Sequence, residues 1–128
     1  MNAKKKVLLV DDDADFVEIH RAVLEKNGYE VIAAYNGTEC LEKTRSEKPD
    51  LIVLDVMMAT QSEGFNVSRD LRNSEHTRRI PILMVTSINE TVPYKFQRDE
   101  TWLPVDSFVE KPIVPEQLLE KVAAMLSA

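Results

Sequence analysis

The sequence predicts an α/β fold in which short strands and helices alternate around a parallel sheet covered on both faces. Three observations carry this. Val7-Leu8-Leu9-Val10 and Leu51-Ile52-Val53-Leu54 are wholly apolar runs of strand length, as expected of strands buried on both faces. Stretches of helical spacing lie between such runs. The chain has 128 residues, 44% of them hydrophobic, which suits one core without disulfide staples.

The elements follow in order. After the strand Val7 to Val10, the stretch Ala14 to Asn27 has helical spacing, with Phe16 or Val17, Ile19, Val23 and Leu24 expected inward. Asp13 is the expected N-cap, Asp15 a solvated first-turn acid, and Gly28 the left-handed residue after the last turn. Tyr29 to Ala34 reads as a strand. Asn36-Gly37 punctuates it, and Thr38 to Ser46 reads as a helix with Cys40, Leu41 and Thr44 inward. Pro49-Asp50 ends that helix before the strand Leu51 to Leu54.

Gly64 opens the next expected helix, with Phe65, Val67 or Ser68 and Leu71 on one side. Ile80 to Val85 reads as a strand, and a short or irregular helix is expected near Val92 to Arg98. Val105 to Val109 reads as the last strand. Pro115 suits the first position of the last helix, which carries Leu118, Leu119, Val122 and Met125 or Leu126 inward. The order is βαβαβαβαβα. The expectation is one domain over 1–128, with a core of about 5–126 and no room for an output domain.

Composition narrows the chemistry. Acids outnumber bases 22 to 16, a net charge of −6, and the only basic run is Lys4-Lys5-Lys6, so direct nucleic-acid binding is not expected. Cys40 is a lone cysteine, expected to be packed under the second helix; an intrachain disulfide or cysteine zinc site is ruled out. His20 and His76 are expected at the surface. No stretch reads as a signal peptide or membrane span, so the cytoplasm is the expected compartment. Three glycines, Gly28, Gly37 and Gly64, cannot make a Rossmann or P-loop phosphate cradle.

In open parallel sheets, sites form at the carboxyl ends of strands. Here those ends carry Asp11-Asp12-Asp13, Asp55, Thr86-Ser87 and, after the last strand, Lys111. Clustered carboxylates repel one another unless a cation neutralises them, and Mg²⁺ suits a few carboxylates with waters and phosphate oxygens. An aspartate there can act as a nucleophile toward a phosphoryl group. A threonine hydroxyl and a lysine ammonium can meet the phosphoryl oxygens. This set of groups suits phosphoryl transfer.

The chain resembles the receiver domains of two-component response regulators over essentially its whole length. The match lies in Val10-Asp11-Asp12, Leu51 to Met58 around Asp55, Gly64-Phe65, Val85-Thr86-Ser87, and Phe108-Val109-Glu110-Lys111-Pro112. The resemblance implies a flavodoxin-like, doubly wound (βα)5 fold with strand order 2-1-3-4-5. It implies that Asp55 accepts a phosphoryl group from a phosphohistidine on a sensor histidine kinase or histidine phosphotransfer protein. It implies Mg²⁺ ligation by Asp12, Asp55 and the backbone carbonyl of Met57, with Asp11 acting through water. Thr86 would contact the phosphoryl group and Lys111 would neutralise it. Phe108 would then move inward and alter a protein-binding face read by an output protein. Such a chain assists its own phosphorylation and dephosphorylation without being a turnover enzyme.

Some positions depart from the family pattern. Ala59 stands where the family usually has proline, and the loop from Asp55 to Gly64 is longer than usual. Leu103-Pro104 replaces the usual Gly-Ala, and Trp102 is expected in local packing. Met57 and Ile88 occupy positions that influence attack by water, and both are apolar, which implies slow self-dephosphorylation. Two rival readings remain. One is a Mg²⁺-dependent phosphohydrolase with an aspartyl-phosphate intermediate, using the Asp11-x-Asp13 spacing. The other is an interaction module that works without phosphorylation.

Overall fold

The computed structural model describes residues 4–55, 63–75, 77–87 and 107–127. The elements are β1 (Lys6–Val10), α1 (Ala14–Lys26), β2 (Glu30–Ala34), α2 (Gly37–Glu47), β3 (Leu51–Asp55), α3 (Glu63–Asn73), β4 (Ile82–Ser87), β5 (Ser107–Lys111) and α4 (Pro115–Ser127). The strands form one sheet in the order β2-β1-β3-β4-β5, and each described pairing is parallel. This is the predicted flavodoxin-like order. The helix expected near Val92 to Arg98 lies outside the described residues.

Strand alternation divides the core in two. Leu8, Val10, Ala34, Ile52, Leu54, Ile82 and Met84 face α2 and α3, where they meet Cys40, Val67 and Leu71. Val7, Leu9, Val31, Leu51, Val53, Leu83 and Val85 face the other way, against Val17 and Leu24 of α1 and Leu118 and Val122 of α4. The period-two geometry of a strand requires this division. It also explains why β1 and β3 are apolar throughout: helices cover both faces. Truncating a wholly buried residue such as Leu54 to alanine costs about 2–5 kcal/mol, the usual range for core leucines.

The helix ends follow their sequence signals. The Asp13 side chain accepts hydrogen bonds from the backbone of Asp15 (3.0 Å) and Phe16 (3.3 Å). At the other end, Tyr29 N–H donates to the Leu24 carbonyl and Gly28 N–H to that of Glu25, with Gly28 at φ +96°. That pair of bonds is a Schellman closure. Helix α2 starts on Asn36, whose side chain accepts from Glu39 N–H at 2.8 Å, while Glu39 accepts from Tyr35 N–H at 2.8 Å. It ends on Lys48, which is left-handed at φ 50° without being glycine.

Several expectations are corrected. Ile19, expected inward, is 54% exposed, and His20, expected at the surface, is 3% exposed. The buried face of α1 is Val17, His20 and Leu24. Their spacings of three and four keep them on one stripe, whereas Ile19 lies two positions from Val17, on the far side. The His20 ring packs on Phe16 with centroids 4.1 Å apart. Strand β4 begins at Ile82, after Pro81, whose carbonyl accepts from Ile52 N–H. Strand β5 runs on through Glu110 and Lys111, which pair with Thr86 and Ser87. Backbone pairing needs no apolar side chain, so a strand outlasts its apolar run. The strand expected from Tyr29 begins at Glu30, α2 gains a residue at each end, and α3 begins at Glu63.

Candidate functional site

Three carboxylates converge at the carboxyl ends of β1 and β3. Asp11 is 1% exposed and Asp55 3%, whereas Asp12 is exposed. One oxygen from each lies within 4.8 Å of the others. The fold brings them together in two steps. Parallel pairing sets Val10 beside Leu54, so the next residues, Asp11 and Asp55, end adjacent strands at the same level. The alternation that sends Leu9 and Val53 toward α1 and α4 sends Asp11 and Asp55 to that same face. Asp12 follows in the turn that leads to α1.

The register extends this row. Asp55 pairs with Val85 on β4, and Val85 pairs with Val109 on β5. On the other side Val10 pairs with Ala34, and Asp11 N–H donates to the Ala34 carbonyl at 3.1 Å, so Tyr35 stands level with Asp11. Sequence reading passed over Tyr35; alternation carried past the end of β2 gives a face, but the level beside Asp11 follows only once β1 and β2 are known to be neighbours. Thr86 follows the residue paired with Asp55, and Lys111 lies at the end of the neighbouring strand, paired with Ser87. Both predicted positions therefore belong to the same edge of the sheet. Phe108 pairs with Met84 in the body of β5. Met57, Ala59, His76, Ile88 and Trp102 lie outside the described residues.

Asp13 is exposed and does a different job. Its carboxylate caps α1, and its backbone N–H donates to Asp11 Oδ1 at 2.9 Å. The buried neighbour of Asp11 is Asp55, so the Asp11–Asp13 pair required by the phosphohydrolase reading is not what the fold assembles. An all-oxygen donor set with two buried members fits a hard divalent cation such as Mg²⁺. Two buried carboxylates beside a third acid carry charge that favours such an ion. Among the described residues, no helix is long and apolar enough to cross a membrane.

Comparison with known proteins agrees with this geometry. The response regulator receiver domain family matches residues 7–123. The chain is 38% identical over 122 residues to the alkaline phosphatase synthesis transcriptional regulatory protein PhoP of Bacillus subtilis, covering 95% of this chain and 48% of PhoP. It is 30% identical over 125 residues to protein PilH of Pseudomonas aeruginosa, covering 95% of this chain and 98% of PilH. The chain thus spans about half the length of PhoP and nearly all of PilH. Among solved structures, the chemotaxis response regulator CheY4 of Vibrio cholerae superposes with a TM-score of 0.82 at 32% identity, covering 95% of this chain and 98% of that one. A CheY-like receiver domain protein from Methanospirillum hungatei does so with a TM-score of 0.82 at 27% identity, covering 98% and 95%. With the strand order, the acidic site and the family match in agreement, the chain belongs to the response regulator receiver domain family.

Proposed function

We propose that Asp55 is the phosphoacceptor of this receiver domain and that a phosphohistidine is the donor. The observation that carries the reading is the buried Asp55 at the end of β3, with Asp11 and Asp12 oxygens within 4.8 Å. An Asp55 carboxylate oxygen bonds to phosphorus while the N–P bond of the donor breaks. The electron pair returns to the imidazole nitrogen, which takes up a proton. Asp55 is the nucleophile. Thr86 donates a hydrogen bond to a phosphoryl oxygen, and the Lys111 ammonium offsets another.

Asp12, Asp55 and the Met57 carbonyl would hold Mg²⁺, with Asp11 acting through a water. When bound, the ion supplies positive charge against the carboxylates and the phosphoryl oxygens. Asp11, buried and oriented by the Asp13 N–H, lines one side of the pocket.

The donor is a sensor histidine kinase or a histidine phosphotransfer protein. The added charge biases Thr86 and Phe108 between two arrangements and so alters a face read by an output protein. The chain assists its own phosphorylation and dephosphorylation and turns over no external metabolite. It works as one receiver unit in the cytoplasm, and its net charge of −6 opposes direct contact with nucleic acid or an anionic membrane.

The test is acetyl phosphate with Mg²⁺, read by intact-protein mass. A single phosphoryl adduct is expected on the wild type and none on Asp55→Asn. An adduct that persists in Asp55→Asn would overturn the assignment, and no adduct from any donor would favour an interaction module that works without phosphorylation.

A further inference from the structure

We infer that Tyr35 forms the β2 side of the phosphoacceptor pocket and contacts the imidazole ring of the incoming donor, making the site selective for aromatic leaving groups; this rests on the reading of Asp55 as phosphoacceptor. The first observation is the row. Tyr35, Asp11, Asp55, Val85 and Val109 are level across five adjacent strands, from the register of the sheet and its continuation by the Asp11 N–H to Ala34 carbonyl bond. The second is the face. Val31 and Ala33 of β2 point toward α1 and α4, as Leu9 and Val53 do; continuing that alternation one residue past the end of β2 at Ala34 puts Tyr35 on the face that presents Asp11 and Asp55.

The third observation is exposure. Among the described residues, the exposed large hydrophobics are Ile19, Tyr35 and Val114, and Tyr35 is the one in the row of the two buried carboxylates. The fourth is fixation. Tyr35 N–H donates to Glu39 of α2, and the next residue, Asn36, caps that helix. The aromatic group is therefore held on a pinned backbone and presented to solvent. Two strand spacings, about 10 Å, separate the backbones of Tyr35 and Asp55. In that interval lie Asp11 and the space above Asp55.

In-line transfer sets the leaving group opposite the attacking oxygen, outside the carboxyl edge. A phosphohistidine presents a flat ring there, and a phenol ring at the rim can pack against it. Acetyl phosphate presents only a small carboxylate to the same rim. The two donors therefore separate contact with the leaving group from chemistry at phosphorus.

The experiment compares rates of adduct formation from phosphoimidazole and from acetyl phosphate, with Mg²⁺, in the wild type, Tyr35→Phe and Tyr35→Ala. The expected result is that Tyr35→Ala lowers the phosphoimidazole-to-acetyl-phosphate rate ratio by about three- to tenfold, the size of one aromatic contact, while Tyr35→Phe keeps it. An unchanged ratio in Tyr35→Ala would overturn the inference, whether or not both rates fall together. An adduct that survives in Asp55→Asn would instead remove the phosphoacceptor reading on which it rests, so the two failures are told apart.

Discussion

Asp13 holds Asp11 in place: its backbone N–H donates to Asp11 Oδ1 at 2.9 Å while its own carboxylate caps α1. One residue therefore fixes both the start of a helix and the orientation of a buried acid. The two roles use different atoms and can be separated. Asp13→Ala removes the cap but keeps the N–H. It should lower stability by about 1 kcal/mol, as loss of an N-cap does. Divalent affinity should change little. Asp12→Asn leaves the cap alone and removes a carboxylate proposed to hold the ion directly. Loss of an outer-shell partner already costs roughly 10–100-fold in metal affinity, so Asp12→Asn should cost at least about tenfold. Urea unfolding and Mg²⁺ titration of Trp102 fluorescence measure the two effects.

The acidic site would link metal binding to folding. Asp11 and Asp55 are buried together beside Asp12, so the metal-free fold confines like charges at close range. A ligand that binds only the folded state adds about 2.7 kcal/mol at a hundredfold excess over its Kd. Mg²⁺ should raise the stability of the wild type on this scale and that of Asp55→Asn far less. Without Mg²⁺ the order should reverse, with Asp55→Asn more stable than wild type, because one buried charge has gone. Urea unfolding with and without Mg²⁺ checks both signs; a metal-free Asp55→Asn weaker than the wild type would contradict the repulsion argument.

The fold and the acids were legible in the sequence for different reasons. Two-sided burial makes β1 and β3 wholly apolar, and Asp11, Asp12 and Asp55 stand where those runs stop. His20 and Ile19 were misread because periodicity was judged on hydrophobic residues alone. A histidine packed on Phe16 occupies a core position that such a reading leaves empty, and Ile19 was drawn into it. The end of β5 was misplaced because Glu110 and Lys111 pair through their backbones. The level of Tyr35 beside Asp11 depends on which strands are neighbours. That order came from family resemblance, since alternation along one strand does not contain it.

The two left-handed helix ends offer a matched pair of tests. Gly28 has φ +96° and nothing within 4 Å of where a Cβ would stand, so the cost of Gly28→Ala is backbone strain without a clash. A loss of about 1–2 kcal/mol is expected from the left-handed penalty of an L-residue. Lys48 already bears that penalty at φ 50°. Lys48→Gly removes it but loosens the unfolded chain, so the expected gain is smaller, about 0.5 kcal/mol. Neither residue borders the acidic site, so adduct formation from acetyl phosphate should be unchanged while the urea midpoints move in opposite directions.

The lifetime of the phosphorylated state is the last test, and it rests on side-chain chemistry at two positions flanking Asp55 and Thr86. Met57 and Ile88 follow these residues by two positions each. Neither a thioether-bearing chain nor an alkyl group can hold a water in line with an acyl phosphate, because neither donates a hydrogen bond and only the sulfur weakly accepts one. On the proposed reading, neither of these two side chains would position a water for hydrolysis of an Asp55 acyl phosphate, and such positioning is a main source of rate in phosphoryl transfer. Met57→Asn introduces an amide that can donate and accept. Decay of the adduct, followed by mass after removal of donor, should be several-fold faster in Met57→Asn than in the wild type. With Asp55 as the proposed acceptor in both proteins, a change in decay with the same initial adduct yield isolates the water-positioning step. Equal decay, or faster decay in the wild type, would show that these apolar positions do not protect the phosphoryl group.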